Sequence, residues 1–399
     1  MSAPRVAIAY DCLFPVNTGG GERVYRRMAE LLRERGAHVT YVTRRQWTQD
    51  AVPHAPFDIV SVWHGEIYDA AGSRTTRSAI AFALGLFRHF ARHRRDYDLV
   101  IVAALPVLNV FAVRSALVGR PTVLAVDWLE VWSSRKWRAY AGSATGTVAA
   151  VLQWFAVRIG DIITVNSGFT RAKLRAARPK ADPIVLGLLD LAGPPRAPVE
   201  ASTGRADESA HIADEADPYL LFIGRHIADK RLDSLPAALA AARRGLPRLR
   251  ARVVGTGPAT EQVRAAAAAA GVEEVVELLG RVDDDELERL LGASAVLVNP
   301  SAREGFGLVV AEAAAHGTPS VVVAGEDNAA AELVVDGENG FVAASVAPDV
   351  LGDAIARAVT GGAELRSSTA AWFARERRER SLDRSVGELL ERWRAIRAR

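Results

Sequence analysis

Short runs of Val, Ile and Leu alternate with helix-period stretches twice along this chain, and the two series are separated by a segment that has neither pattern. The first opens with "RVAIAY", "GERVYRRMAELLRERG" and "HVTYVT", in which Val24, Met28, Leu31 and Leu32 share one helix face. It continues through "DIVSVW", "SAIAFALGLFRHFARHR", "DLVIVAA", "PTVLAVDWL", an apolar helix near 145–159 and "DIITVNS". The second runs from "YLLFIGR" through "RARVVGTG", "VVELLG", "AVLVNP" and "PSVVV" to "GFVAA", with helical stretches between. Continuous apolar strands separated by helices predict parallel sheets covered on both faces. The expected class is therefore α/β, with two Rossmann-like doubly wound domains over 1–190 and 218–370. Residues 191–217, rich in Pro, Ala and acidic side chains, read as a linker or disordered excursion, and 371–399 as a C-terminal helix.

Charge divides unevenly between these parts. Residues 1–190 hold 25 Lys/Arg against 15 Asp/Glu, whereas 191–218 hold 2 against 6 and 219–399 hold 23 against 26. A positive excess confined to one half suits an anionic partner, such as a membrane surface or a phosphorylated acceptor. Two basic-aromatic tracts lie there: "FRHFARHRR", and the stretch in which Trp128, Trp132 and Trp137 interleave with Arg135, Lys136 and Arg138. No nucleic-acid-binding module accompanies the charge, so nucleic acid is not an expected partner. The single cysteine, Cys12, and an N-terminus without a secretory apolar core point to the cytoplasm, with attachment at the cytoplasmic membrane face as a further expectation.

The most informative chemistry lies in "SAREGFGLVVAEAAAHGTPSVVV", where Glu304 and Glu312 flank a glycine-punctuated turn into a helix. The N–H groups of Phe306, Gly307, Leu308 and Val309 fall at the positive end of that helix, a natural anion site. Eight residues span roughly 12 Å if all are helical, about the reach from a ribose across a diphosphate to a sugar. "FIGRHIADKRL" adds Arg225, directly after Gly224, and Lys230, a fork and a point charge suited to a diphosphate leaving group. "VVGTGP" places Gly255 and Gly257, and "LLGRV" places Arg281 and Val282, at further strand ends. A D-x-D within "VDDDEL" reads as a helix cap, since Glu286 stands three residues after Asp283. The first strand-to-helix turn lacks G-x-G-x-x-G spacing, which argues against a dinucleotide cofactor.

Together, the segments "EGFGLVVAE", "GRHIADKR", "GTGP", "GRV" and "VVDGENGFV" resemble the retaining nucleotide-sugar glycosyltransferases of family 4, which have two facing Rossmann-like domains (the type-B fold). The resemblance implies a C-terminal helix that crosses back to the first domain, a nucleotide-sugar donor, and no metal or other cofactor. It puts Arg225 and Lys230 on the diphosphate, Glu312 on the ribose, and Glu304 with the Phe306–Leu308 backbone on the donor sugar and its phosphate. It also puts Gly19, Gly20 and Gly21 near the donor phosphate. Family members commonly end the strand at "AVDWLE" with a histidine, absent here; Asp127 and Glu130 stand as polar substitutes, and His64 is another acceptor-side candidate. The acceptor itself is unassigned: a glycan, a lipid-linked sugar or a small molecule all fit. Two alternatives remain at this level: a donor-binding scaffold without turnover, and a sugar phosphorylase or epimerase.

Overall fold

The computed structural model describes residues 3–47, 53–67, 75–196 and 217–398; most of the acidic segment 191–217 lies outside them. The chain forms two compact units, one of Met1–Leu191 with Arg380–Arg399 and the other of Ala192–Glu379.

The first unit comprises β1 (Arg5–Ala9), α1 (Gly20–Glu34), β2 (His38–Arg45), β3 (Asp58–His64), α2 (Thr76–Arg92), β4 (Leu99–Ala103) and α3 (Leu108–Ala116). It continues with β5 (Val123–Trp128), α4 (Ser134–Ala141), α5 (Ser143–Ala156), β6 (Ile162–Val165), α6 (Gly168–Ala177) and β7 (Ile184–Val185). Its seven strands are ordered β3-β2-β1-β4-β5-β6-β7, with parallel pairing throughout. Covering helices explain the uninterrupted apolar runs: every residue of β4 is buried, with Val100 and Val102 packed in one core with Leu86, Phe90 and Val110.

The second unit holds β8 (Tyr219–Ile223), α7 (Leu235–Arg243), β9 (Arg250–Val254), α8 (Thr260–Ala269), β10 (Val276–Gly280), α9 (Asp284–Ala293) and β11 (Val296–Asn299). The bridge strand β12 (Arg303–Glu304) is followed by α10 (Leu308–Ala315), β13 (Ser320–Val323), β14 (Asp327–Asn328), β15 (Gly340–Ala343), α11 (Pro348–Thr360) and α12 (Gly362–Glu379). Its main sheet runs β10-β9-β8-β11-β13-β15, the 3-2-1-4 start of a doubly wound fold repeated from the first unit.

The helical tail expected over 371–399 is two helices. Trp372 and Phe373 of α12 are buried in the second unit; α13 (Leu382–Arg397), begun by Ser381 Oγ accepting from Arg384 N at 3.2 Å, belongs to the first. There α13 packs on α1 and on the strands β5 to β7, and Arg35 pairs with Asp383 at 2.7 Å. Among the described residues no helix is long and apolar enough to cross a membrane.

Candidate active site

Loops that bind ligands gather where neighbouring parallel strands send their connections to opposite faces. In the second unit that point lies between β8 and β11, and hydrogen bonds lace the two exits together. Ala302 N donates to Asp229 O at 2.8 Å, Arg303 pairs with Asp229 at 3.0 Å, and Arg231 donates to Pro300 O at 2.9 Å and Ser301 O at 3.1 Å. Arg231 is the one non-glycine with positive φ (45°) among the described residues, and these two carbonyl bonds hold it there.

This lacing brings Lys230 and Glu304 into contact. Lys230 Nζ forms an ion pair with Glu304 Oε1, and the side chains are only 20 % and 14 % exposed, so water screens the pair less than it would a surface pair. The same oxygen accepts from Asn299 Nδ2 and Ser301 Oγ, each at 3.2 Å. The backbone of Glu304 is fixed in turn by the β12–β14 bridge, where Glu304 aligns with Asn328. An ammonium has three donors, so this pairing leaves Lys230 with capacity for an anion. Arg225, on the same β8 exit, is exposed and makes no side-chain bond among the described residues.

Directly after Glu304 the chain turns into α10 through Gly307, whose φ of 93° and contact with Ala330 leave no room for a Cβ. No side chain caps α10, and Val310 N donates to Gly307 O at 2.9 Å, so the leading amides, including Leu308 and Val309, form its positive end. Phe306 is buried beneath this turn, and Glu312 is half-buried between the buried Ala311 and Ala313. Beside it the glycines that end β8, β9 and β10 stack: Gly224 N donates to Val254 O at 3.1 Å and Gly255 N to Gly280 O at 2.7 Å. Gly257 packs on the His226 backbone. Arg281 and Val282 follow Gly280 on the edge strand, Arg281 exposed and Val282 half-buried. Asp283 caps α9, its carboxylate accepting from Glu286 N at 2.8 Å.

In the first unit, Gly19 caps α1 from an extended conformation, Gly20 and Gly21 open that helix, and the Glu22 carboxylate folds over Gly19. Leu129 lies beside Gly21. Among the acceptor-side expectations, Asp127 needs correction. Asp127 is fully buried; one carboxylate oxygen accepts from Tyr25 Oη and the other from Thr164 Oγ1, both at 2.5 Å, so it ties α1, β5 and β6 together instead of facing a ligand. Glu130 is engaged by Trp132 Nε1 and lies 3.8 Å from Lys136 Nζ. His64 is exposed at the end of edge strand β3, four strand spacings or about 19 Å from β5. The structure does not bring these three together.

Burial raises the Asp127 carboxyl to about 6, against the lowering effect of its two hydroxyl donors. Because the folded value exceeds the unfolded one, the carboxyl costs nothing below about pH 3, where both states are protonated. The penalty grows as the unfolded state ionises and levels off above about pH 6, at about 3 kcal/mol. Asp127→Asn stays neutral and can still serve both hydroxyls. Its unfolding free energy should therefore rise relative to wild type by most of that amount between pH 4 and pH 7. Urea titrations at both pH values that gave the same gap would refute this.

Sequence reasoning did not single out Asn299, Ser301 or His226. The first two had a usable signal, since polar residues directly after a switch-point strand face the ligand crevice; a buried loop histidine has none.

Residues 205–371 match the family described as "Glycosyl transferases group 1", and residues 19–186 match "Glycosyl transferase 4-like domain". A GDP-mannose-dependent alpha-(1-6)-phosphatidylinositol monomannoside mannosyltransferase from Mycobacterium tuberculosis is 30 % identical over 310 residues, covering 71 % of this chain and 74 % of that protein. Among solved structures, sucrose-phosphate synthase from Thermosynechococcus elongatus superposes with a TM-score of 0.78 at 20 % identity over 99 % of both chains. A protein from Anabaena, solved with UDP and glucose, superposes at 0.68 with 18 % identity over 97 % of this chain and 98 % of that one. At these identities the two structural likenesses establish the fold.

Proposed function

We propose that this chain, which belongs to the family 4 nucleotide-sugar glycosyltransferases of the type-B fold, transfers a hexose to an acceptor hydroxyl with retention at the anomeric carbon. The observation that carries the reading is the convergence of Lys230, Glu304, Asn299 and the α10 N-terminus at the switch point of the second sheet, with Arg225 on the same β8 exit. Arg225 and Lys230 bind the diphosphate, and the amides of Gly307, Leu308 and Val309 take a phosphate oxygen. Glu304 accepts from hydroxyls of the donor sugar and Glu312 from those of the ribose. The stacked turns at Gly224, Gly255, Gly257 and Arg281–Val282 border the nucleoside.

Charge grows on the leaving phosphate as the glycosidic bond breaks, and donors already fixed around it stabilise that charge without reorganising. The acceptor hydroxyl attacks the oxocarbenium-like carbon on the face the diphosphate leaves. Its proton passes to the departing phosphate oxygen, so no protein nucleophile is needed. The chain's own cations and helix end suffice for this charge, which makes the reaction metal-independent. The mycobacterial relative's name makes GDP-mannose the first donor to try.

The experiment is a thermal-shift screen of GDP, UDP, ADP and dTDP sugars, followed by NMR of the product made with the best donor. At a hundredfold excess over Kd the matching donor should add about 2.7 kcal/mol of stability. The product's anomeric coupling should match the donor's. A panel with no stabilising donor would overturn the donor site, and an inverted product would overturn retention.

A membrane-bound acceptor is supported by one further feature. Helices α2 and α5 both pack on α3, and they leave apolar side chains outward: Ile80, Leu84 and Phe87 on α2, and Val151, Trp154 and Phe155 on α5, all more than 40 % exposed. Basic residues flank them, including Arg94 and Arg95, which lie close enough to Arg120 to lower its pKa. Apolar residues with surrounding cations suit an anionic lipid surface. The protein should sediment with phosphatidylserine-containing vesicles, less with pure phosphatidylcholine, and Trp154→Ser with Phe155→Ser should cut the bound fraction severalfold. Equal binding by that double variant would discard the surface.

A further inference from the structure

Arg225 is the least anchored of the two cations at the site. Its side chain makes no bond among the described residues, so the turn on either side of it must set its position. The next residue, His226, is fully buried. Its backbone N–H donates to Thr256 O at 3.1 Å, and its carbonyl accepts from Ala259 N at 2.9 Å. Its ring Nδ1 lies 2.8 Å from Thr260 Oγ1, which is also bonded to both Gly257 O (2.8 Å) and Gly257 N (3.2 Å). One imidazole thus connects the β8 exit, the Gly255–Gly257 turn and the first residue of α8.

The other ring nitrogen, Nε2, is buried against the Gly255 turn, and the ring also interacts with the backbone of Val254. The ring's bond to a side chain is the one from Nδ1 to Thr260. The two turns it joins are in backbone contact: a Cβ on Gly255 would overlap Gly224 O, and one on Gly257 would overlap His226 O. Movement in one turn is therefore carried into the other.

We infer that His226 is a positioning residue for the donor: through Thr260 it holds the turn that presents Arg225 to the diphosphate. The inference rests on the reading of Arg225 as a diphosphate ligand.

The test measures calorimetric Kd for GDP and for UDP, using the tighter binder, together with donor KM and kcat, on the full chain. Arg225→Ala alone tests the underlying reading: it should weaken Kd at least about tenfold, and an unchanged Kd overturns that reading and the inference with it. His226→Phe should weaken Kd and raise KM by about fivefold to twentyfold while kcat stays within about twofold. His226→Asn, whose amide can donate to Thr260, should recover most of the loss. In the Arg225→Ala background, His226→Phe should add nothing, because the residue it positions is gone. With Arg225→Ala impaired, an equal His226→Phe loss in both backgrounds, or none in either, overturns the role of His226 and leaves that of Arg225 intact. If His226→Phe does not fold, Thr260→Val removes the same bond from the other side, with the same expected pattern.

Discussion

Lys230→Ala should lower kcat/KM for transfer by about a hundredfold to a thousandfold, the usual effect of deleting one preorganised group that stabilises developing charge. The fold should survive. Glu304 would lose its ion-pair partner, but its Oε1 keeps the donors Asn299 Nδ2 and Ser301 Oγ, and the β12–β14 bridge still fixes its backbone. The stability loss should therefore stay within about 1–2 kcal/mol. Lys230→Arg should rescue poorly, because a planar fork cannot replace a compact ammonium beside Glu304 while keeping a donor free for phosphate. Steady-state transfer assays with parallel thermal melts check this. A Lys230→Ala rate within threefold of wild type, with the protein folded, would remove Lys230 from the chemistry and leave Arg225 and the α10 amides as the only remaining phosphate ligands.

The fold was largely legible because burial on both faces writes itself directly into composition. A strand such as "LVIVA" at 99–103 has no polar position to hide, and β5, β6, β11 and β13 are likewise buried at every position. Boundaries depending on one or two residues were less legible. The break between α12 and α13 rests on Ser381 as a cap, and serine within a charged helical run gives no composition shift to mark it.

The site was legible where spacing and chemistry coincide. Lys230 and Glu304 are 74 residues apart, yet both follow strands that flank the switch point, so topology alone predicts their meeting. Asp127 shows the limit of that reasoning. The family resemblance makes this acid a ligand-facing substitute for a strand-end histidine, whereas a buried carboxylate without partners would be costly. The partners that remove the cost, Tyr25 on α1 and Thr164 on β6, lie 102 and 37 residues away, and neither stands out in the sequence. For His64 the sequence shows a strand end but not the place of that strand in the sheet, which the strand order puts at the edge.

Gly255→Ala should be among the most destabilising single-methyl additions in the chain, at about 3–5 kcal/mol. Two independent costs combine. Its φ of 120° lies where L residues are strained, and a Cβ there would overlap Gly224 O, a backbone atom held by the Gly224 N–Val254 O bond and unable to swing aside. Gly271→Ala in the same unit separates the two terms. It also has positive φ, 65°, but no atom lies within 4 Å of the added Cβ, so it should cost only about 1 kcal/mol. Relief of the Gly255 clash must push the Gly224 turn outward and carry Arg225 with it. Under conditions where Gly255→Ala remains folded, its affinity for a nucleoside diphosphate should drop, whereas Gly271→Ala should bind like wild type. Denaturant melts and calorimetry on the two variants decide the matter. Equal destabilisation would mean the Gly224 contact yields easily, and undiminished binding by Gly255→Ala would mean the stacked turns do not position the diphosphate site.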